Sequence, residues 1–131
     1  MKLEDDFYCF ACGKENHIGL KLKFEEKDDS FCASFTPNKY HQGYKNFMHG
    51  GIASTMLDEV MARLLIDVKN LMVVTAKMEI RFKKPVTIEK PVKISAKYEG
   101  REGKFYKASG EIRSEDGTLL VSASGLFAEI K

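Results

Sequence analysis

The sequence lacks any long uninterrupted apolar segment. Its 131 residues contain no run that approaches the roughly 18 apolar residues of a transmembrane helix. The first six residues, Met-Lys-Leu-Glu-Asp-Asp, lack the apolar core of a signal peptide. We therefore expect a cytoplasmic protein that has no membrane partner.

A strong excess of charge is also missing. The formal net charge is only +2, which is too small to indicate a nucleic-acid partner. The chain contains no linker, repeat or low-complexity segment, and its length is close to that of a typical domain. We expect a single domain, residues 1–131, that folds without disulfides or metal.

Cysteine is scarce, and its odd count of three argues against a secreted disulfide framework. Cys9 and Cys12 are two residues apart and His17 follows them, which suggests a zinc site. A second ligand pair at finger-like spacing is absent, and Cys32 falls in a predicted strand. We favour cysteines that pack in an N-terminal arm and expect no metal.

Residues 49–68 are the one segment that has the pattern of a long helix. Apolar residues cover most of its circumference, so the helix is expected to be buried. Glu59 precedes Arg63 by four residues, which favours an ion pair on the helix surface. Asp58 has no cation at such spacing. It is either a buried acid bound to backbone amides or part of a site.

The predicted helix starts at His49-Gly50-Gly51, although glycine is a poor helix former. Two glycines leave the first free N–H groups unshielded, and the helix dipole there favours an oxygen that gains negative charge. Asp58 lies roughly 12 Å further along the helix axis. This geometry fits hydrolysis of an elongated acyl compound lying along the helix.

Alternating apolar residues predict strands around the helix. The first is expected at 18–25 and the second at 31–35, with a turn at Asp28-Asp29 between them. Four more strands follow residue 72: one that ends at Pro85, one at 92–98, one at 106–112 and a last one at 118–130, with turns at 100–103 and 115–117. Ala76, Met78, Ile80 and Phe82 are expected to face inward. The pattern predicts an α+β domain whose curved antiparallel sheet of five or six strands wraps one long central helix, with open edges that favour self-association.

These residues resemble the hotdog-fold acyl-CoA thioesterase superfamily, closest to its phenylacetyl-CoA/4-hydroxybenzoyl-CoA branch. The resemblance rests on His49-Gly50-Gly51 followed by Asp58-Glu59, with weaker similarity at Cys9–Gly13 and Arg81–Pro85. It implies homodimers or homotetramers with active sites at the subunit interface. It also implies an acyl-CoA substrate, with coenzyme A entering only as part of it and no separate cofactor.

The resemblance further implies roles for individual residues. The Gly50 N–H would polarise the thioester carbonyl, His49 would help to hold the substrate, and Asp58 would act as general base or nucleophile. Thr75 matches a hydroxyl residue that, in some relatives, helps to position water from the neighbouring subunit, although a plain strand threonine is an equal alternative. The expected substrate-binding residues are Gly51, Asn46, Arg81, Lys83 and Lys84. Gly43 replaces an asparagine of some relatives, with Gln42 and Asn46 nearby.

Two other functions remain open. A non-catalytic acyl-CoA-binding or sensing module would use the same fold, although no output element such as a helix-turn-helix is evident. A hydratase or dehydratase would need a catalytic histidine and acid in a different motif. The length and identity of the acyl group are not encoded in any single motif.

Overall fold

The computed structural model describes residues 2–27 and 30–131. The strands are β1 (Glu25–Lys27), β2 (Ser30–Phe35), β3 (Val73–Phe82), β4 (Val92–Glu102), β5 (Phe105–Ser114) and β6 (Leu119–Glu129). The helix α1 spans Gly50–Arg63 and continues through a π-helical turn at Leu64–Val68. A 3-10 turn at Lys39–His41 precedes it.

The strands form one antiparallel sheet in the order β1-β2-β4-β5-β6-β3. The antiparallel sheet was predicted, but the order was not, because it depends on pairings between distant segments. β3 crosses to the far side and pairs with β6, which makes β3 a long edge strand.

The concave face of the sheet wraps α1, which contacts every strand from β2 to β6. Met56, Leu57, Val60 and Met61 of α1 are completely buried, which confirms the predicted apolar helix. Glycine permits the close approach of the sheet, since a Cβ at Gly110 would lie 3.3 Å from Leu57 Cδ2. Among the residues that the structure describes, no helix combines the length and apolarity needed to cross a membrane.

The predicted strand at 18–25 is wrong. Only Glu25–Lys27 joins the sheet, while the residues before it form an N-terminal arm without strand pairing. The arm is held by backbone hydrogen bonds from Leu20 N–H to Phe10 O (2.8 Å) and from Leu22 N–H to Ala11 O (3.0 Å). Leu20 and Leu22 are buried in the hydrophobic core and alternate with exposed lysines, which produces the same sequence pattern as a strand, whereas Ile18 is 78% exposed.

Two of the predicted turns can be compared with the structure. The turn expected at 100–103 is displaced, because β4 runs through Glu102 and the connection to β5 is Gly103-Lys104. Gly100, with φ of +93°, lies instead at a register shift within the β4–β5 pair. The turn at 115–117 is confirmed, and the turn expected at Asp28-Asp29 lies outside the described residues.

Candidate active site at the start of the central helix

His49 caps the start of α1. Its Nδ1 accepts a hydrogen bond of 2.7 Å from the Gly51 N–H, and its carbonyl oxygen accepts one of 3.0 Å from the Ile52 N–H. Because Nδ1 is an acceptor, the proton of the neutral imidazole lies on Nε2. The Gly51 N–H, expected to face the substrate, is therefore occupied by His49.

The Gly50 N–H has no hydrogen-bond partner within residues 2–27 and 30–131. It is the first N–H of α1, exposed at the positive end of the helix dipole. A Cβ at this position would lie 3.3 Å from Cε1 of Phe82. Glycine therefore leaves a narrow opening between the helix and this ring, through which an oxygen can reach the free donor.

Asp58 is half-buried, and its Oδ1 accepts a hydrogen bond of 2.6 Å from the Thr75 hydroxyl. This is the one hydrogen bond to the carboxylate among the described side chains. Because Thr75 is exposed, the pair is open to solvent rather than sealed in the core. The carboxylate keeps acceptor capacity for a further molecule, such as a water.

A β-bulge places Thr75 on the side of the helix. Thr75 pairs with Phe127 and Lys77 pairs with the next residue, Leu126, so Ala76 is an extra residue with no partner on β6. A bulge changes which residues face the same side of a strand. Thr75 therefore shares the helix side with half-buried Met78 and Ile80, although the simple alternation puts it on the other face. Ala76, expected to face inward, is exposed.

An apolar cavity of about 480 Å³ opens beside Gly50. Its walls are Tyr44, Phe47, Met48, Gly50, Ala53, Phe82, Lys83, Lys84, Pro85, Val86 and Val121. A second cavity of about 390 Å³ shares four of these residues and reaches His49. The loop before α1 therefore forms a wall of the site. Cavities of this size and composition are typical of small-molecule sites.

The other predicted binding residues are distributed around this mouth. Lys83 and Lys84 are exposed on its rim, and their backbone N–H groups both donate to the Leu120 carbonyl. Arg81 is exposed on β3 and borders a separate depression beside Ser122. Asn46 has φ of +73° and lies in the loop outside the walls of both cavities.

The predicted ion pair between Glu59 and Arg63 is wrong. Arg63 instead forms an ion pair with Asp67, which also lies four residues away. Glu59 faces the N-terminal arm, where its Oε2 lies 3.7 Å from the Cys9 sulfur. Burial raises the pKa of the Cys12 thiol far above its ordinary value, and the nearby Glu59 and Cys9 raise it further by smaller amounts.

From its sequence, the aromatic-bearing loop at 37–48 could be part of a binding wall or only a connector, and the structure makes its Tyr44 and Phe47 part of the wall. The sequence reasoning did not join Phe82 to this wall, because it predicts only an inward-facing strand residue there. The exposures of Tyr44, Phe47 and Phe82 are 89%, 41% and 56%, which is high for aromatic side chains. The available signal was their position, since they flank the glycine pair and the lysine pair.

A sheet wrapped around one long helix, with a glycine-opened helix start and an acid two turns on, defines a hotdog-fold protein. A family model described as the thioesterase superfamily matches residues 45–121, more than half of the chain. The chain belongs to the thioesterase superfamily.

Similar proteins agree with this assignment. The acyl-coenzyme A thioesterase THEM4 of Bos taurus is 31% identical over 125 residues, which cover 92% of this chain and 51% of that protein. The THEM4 of Xenopus laevis is 32% identical over 97 residues, covering 73% and 43%. The chain thus spans about half the length of the curated relatives that it matches.

Solved structures show the same fold. The thioesterase superfamily protein RHA08564 has a TM-score of 0.85 and 26% identity, covering 93% of this chain and 60% of that one. The BH2602 protein of Bacillus halodurans, whose crystal structure contains CoA, has a TM-score of 0.77 and 18% identity, covering 90% and 82%.

Proposed function

We propose that this protein hydrolyses the thioester of an acyl-CoA to a free carboxylic acid and CoA, with Asp58 as the reacting carboxylate. The observation that carries the proposal is the hydrogen bond between Thr75 and Asp58, which holds a half-buried acid at a solvent-open position. Membership of the thioesterase superfamily and the acyl-CoA thioesterase relatives support the same chemistry.

The free Gly50 N–H suits the role of oxyanion donor, but it is too far from Asp58 of the same chain for both groups to act on one thioester carbonyl. The two residues are eight positions apart on α1, which corresponds to about 12 Å along the axis. Reacting atoms must approach to about 3–3.5 Å. We therefore place Gly50 of one copy opposite Asp58 of a second copy, so that each complete site is shared between two chains.

The β3 edge supports such a homodimer. One side of β3 pairs with β6, and its other side has no partner strand among the described residues. Val74 is 37% exposed near the Thr75–Asp58 pair, and Phe82 is 56% exposed near Gly50. Association through this edge would cover apolar side chains at both ends of β3. A homotetramer would be built from two such dimers.

In the general-base route, the Asp58 carboxylate removes a proton from water while the water oxygen attacks the thioester carbonyl carbon. The negative charge that develops on the carbonyl oxygen is stabilised by the Gly50 N–H. The tetrahedral intermediate expels the CoA thiolate, which takes the proton from Asp58. In the nucleophile route, Asp58 itself attacks, the thiolate leaves, and water then hydrolyses the acyl–Asp58 anhydride.

The rim of the mouth suits the coenzyme portion of the substrate. Lys83 and Lys84 are exposed beside the apolar cavity, so they can meet phosphates while the acyl part stays against Phe47 and Phe82. Arg81 lies two residues before Lys83 but borders the separate depression beside Ser122, so it would meet the coenzyme only where the substrate extends beyond the mouth. The proposed reaction uses only these side chains and water, with no separate cofactor.

A thiol-release assay across acyl-CoAs of short, medium, branched and aromatic chains tests the proposal. We expect turnover of at least one class and a loss of about 10²- to 10⁴-fold in kcat for Asp58→Asn, the range for removal of a general base. Glu59→Gln is the control, since Glu59 is the neighbour of Asp58 on the helix but faces the N-terminal arm. Full activity of Asp58→Asn would reject the assignment.

Isotope labelling can identify the nucleophile route. A single turnover in H₂¹⁸O puts the label only into the released acid if Asp58 is a base, and also if water attacks the acyl carbon of the anhydride. If Asp58 is a nucleophile and water attacks its carboxyl carbon, the label appears in the peptide that contains Asp58. Label in that peptide, detected by mass spectrometry, therefore establishes the nucleophile route.

Mixing two inactive variants tests the shared site. Asp58→Asn and Gly50→Pro each damage one half of every site in a homodimer, but a mixed dimer contains one undamaged site. We expect activity to return after subunit exchange. No recovery in dimers shown by mass spectrometry to be mixed would contradict the arrangement.

The alternative is a non-catalytic acyl-CoA-binding module. The observation that favours it is Gly43, at the position where some relatives have asparagine. Gly43 lies beside His49, since a Cβ on it would be 3.3 Å from His49 Cα, but it supplies no amide side chain to the site. A binding module would retain CoA in calorimetry without turnover of any thioester. Hydrolysis that depends on Asp58 excludes it.

A further inference from the structure

Two cysteines and an acid converge where the N-terminal arm meets α1. The Cys9 sulfur, the Cys12 sulfur and a Glu59 carboxylate oxygen all lie within 4.8 Å of one another. All three residues are half-buried, and Glu59 lies on the face of α1 that points to the arm, whereas Asp58 faces Thr75. Nothing in the proposed hydrolysis uses this cluster.

The turn that joins the two cysteines is rigid. Gly13 N–H donates a hydrogen bond of 2.8 Å to the Cys9 carbonyl. A Cβ at Gly13 would lie 2.4 Å from Cys9 N and 2.6 Å from Phe7 O, so only glycine fits there. The bonds from Leu20 and Leu22 to residues 10 and 11 fix the segment between the cysteines. Both sulfurs are therefore held toward Glu59 before any ligand arrives.

Glu59 has no ion-pair partner among the described residues, because Arg63 bonds Asp67. Its Oε2 lies 3.7 Å from the Cys9 sulfur, and the Cys12 thiol is also close to the same carboxylate. The carboxylate and the two thiols each offer one ligand atom, and all three are of the kinds that zinc accepts. The identity of the three groups thus favours a cation rather than simple packing.

The distances fit a metal ion of zinc size. Bonds of about 2.3 Å to sulfur and about 2.1 Å to oxygen at the tetrahedral angle give an S···O separation of about 3.6 Å. The separation of the Cys9 sulfur and Glu59 Oε2 is 3.7 Å. Small side-chain rotations would bring the remaining pairs, at up to 4.8 Å, to the same value.

We propose that Cys9, Cys12 and Glu59 bind one Zn²⁺ ion, with water in the fourth position. This reverses the expectation from the sequence, which considered the cysteines without a third ligand. Three protein ligands are enough for a zinc site that keeps one exchangeable position. The ion ties the N-terminal arm to α1 at the residue that follows Asp58, and its binding does not depend on whether the protein is a thioesterase.

Cobalt provides a direct test with the full chain. After chelation and reduction, titration with Co²⁺ should produce thiolate-to-metal charge-transfer absorption and tetrahedral d–d bands that saturate at one equivalent per chain. Added Zn²⁺ should abolish both signals. Protein purified from zinc-supplemented medium should contain one zinc per chain by elemental analysis.

Variants assign the ligands. Cys9→Ser and Cys12→Ser should lose the charge-transfer band or reduce it strongly, whereas Cys32→Ser, a matched change of the buried cysteine in β2, should retain it. Glu59→Gln should keep the thiolate band with weaker binding and altered d–d bands. If a cysteine variant does not fold, the wild-type spectrum and Glu59→Gln still decide the question.

Several results would overturn the proposal. Reduced wild-type protein that shows no thiolate absorption with Co²⁺ and contains no zinc would exclude the site. Loss of the band in Cys32→Ser together with normal binding by Cys9→Ser would assign the metal elsewhere. A mass two units low, restored by reductant and accompanied by no metal binding after reduction, would identify a Cys9–Cys12 disulfide instead.

Discussion

The Gly50 N–H can be removed with little disturbance of the helix. Gly50 is the first residue of α1, the position where proline is best tolerated because its N–H has no partner within the helix. His49 already has φ of −62° and ψ of 136°, the extended conformation that a residue before proline requires. Gly50→Pro therefore deletes the proposed oxyanion donor while the backbone remains compatible.

The matched control is Gly50→Ala. Both variants carry a Cβ, which would lie 3.3 Å from Phe82 Cε1, so both must displace this exposed ring by a few tenths of an ångström. Only the proline variant lacks the donor. Loss of one oxyanion donor typically costs about 10²- to 10³-fold in kcat, or about 2.7–4 kcal/mol of transition-state stabilisation. We expect this difference between the proline and alanine variants.

The measurement is steady-state thiol release for the best acyl-CoA, with chemical unfolding of each variant alongside. A compatible proline changes the free energy of unfolding by only about 0.4–1 kcal/mol, so both variants should remain folded. Equal kcat in folded proline and alanine variants would refute the role of the Gly50 N–H. A large loss in both would instead indicate that the opening beside Phe82 limits the reaction.

Three further predictions concern the carboxylate, the loop and the core. Thr75→Val removes the hydrogen bond to Asp58; such bonds to charged groups contribute about 1.5–3 kcal/mol, so kcat should fall about 10- to 150-fold in the thiol-release assay. Burial lowers the pKa of His41 from its ordinary value of 6.5, so its stabilising contribution is complete above pH 6.5 and is lost as the pH falls through the folded-state pKa. Wild-type protein should therefore lose more unfolding free energy between pH 7.5 and 5.5 than His41→Gln. Gly125→Ala places a Cβ 2.8 Å from Cε2 of the fully buried Phe127 and should cost about 1–3 kcal/mol in urea unfolding.

Each of these predictions has a control. Thr75→Ser keeps the hydroxyl and should retain most of the activity. His17→Gln changes an exposed histidine and should leave the pH dependence as it is. Ser124→Ala, next to the glycine in β6, should change the unfolding free energy little. Equal effects in variant and control would contradict the corresponding prediction.

The elements that the sequence predicts well are those whose burial is periodic over many residues. α1 and its π-helical continuation cover the predicted 49–68 segment, and β6 lies within one residue of its predicted bounds. The segment at 18–24 shows the limit of this argument. Its alternation reflects burial of Leu20 and Leu22 in the core, and alternation alone does not reveal whether a neighbouring strand is present.

The candidate site was predicted as a set of residues but not as an arrangement. Asp58 and Thr75 were both selected, yet their contact depends on the pairing of β3 with β6, which lies far away in the sequence. Arg63 had acids at four residues on either side, and spacing could not decide between Glu59 and Asp67. The neighbourhood of Glu59 depends on the fold of the arm, where the alternation predicts a strand that the structure does not contain.

The extra residue in β3 gives the same chain two possible ladders with β6. In the ladder observed, Ala76 contributes no partner and the Thr75 hydroxyl faces Asp58. A regular ladder that kept Met78 and the residues after it in place would pair Ala76 with Phe127 and turn the Thr75 hydroxyl away from α1. Deleting Ala76 would remove that second ladder, because Thr75 and Lys77 would then be neighbours opposite Phe127 and Leu126. A loss of three nucleotides at this point would thus keep the hydroxyl beside the carboxylate, whereas a slip of one residue in the full-length strand would separate them.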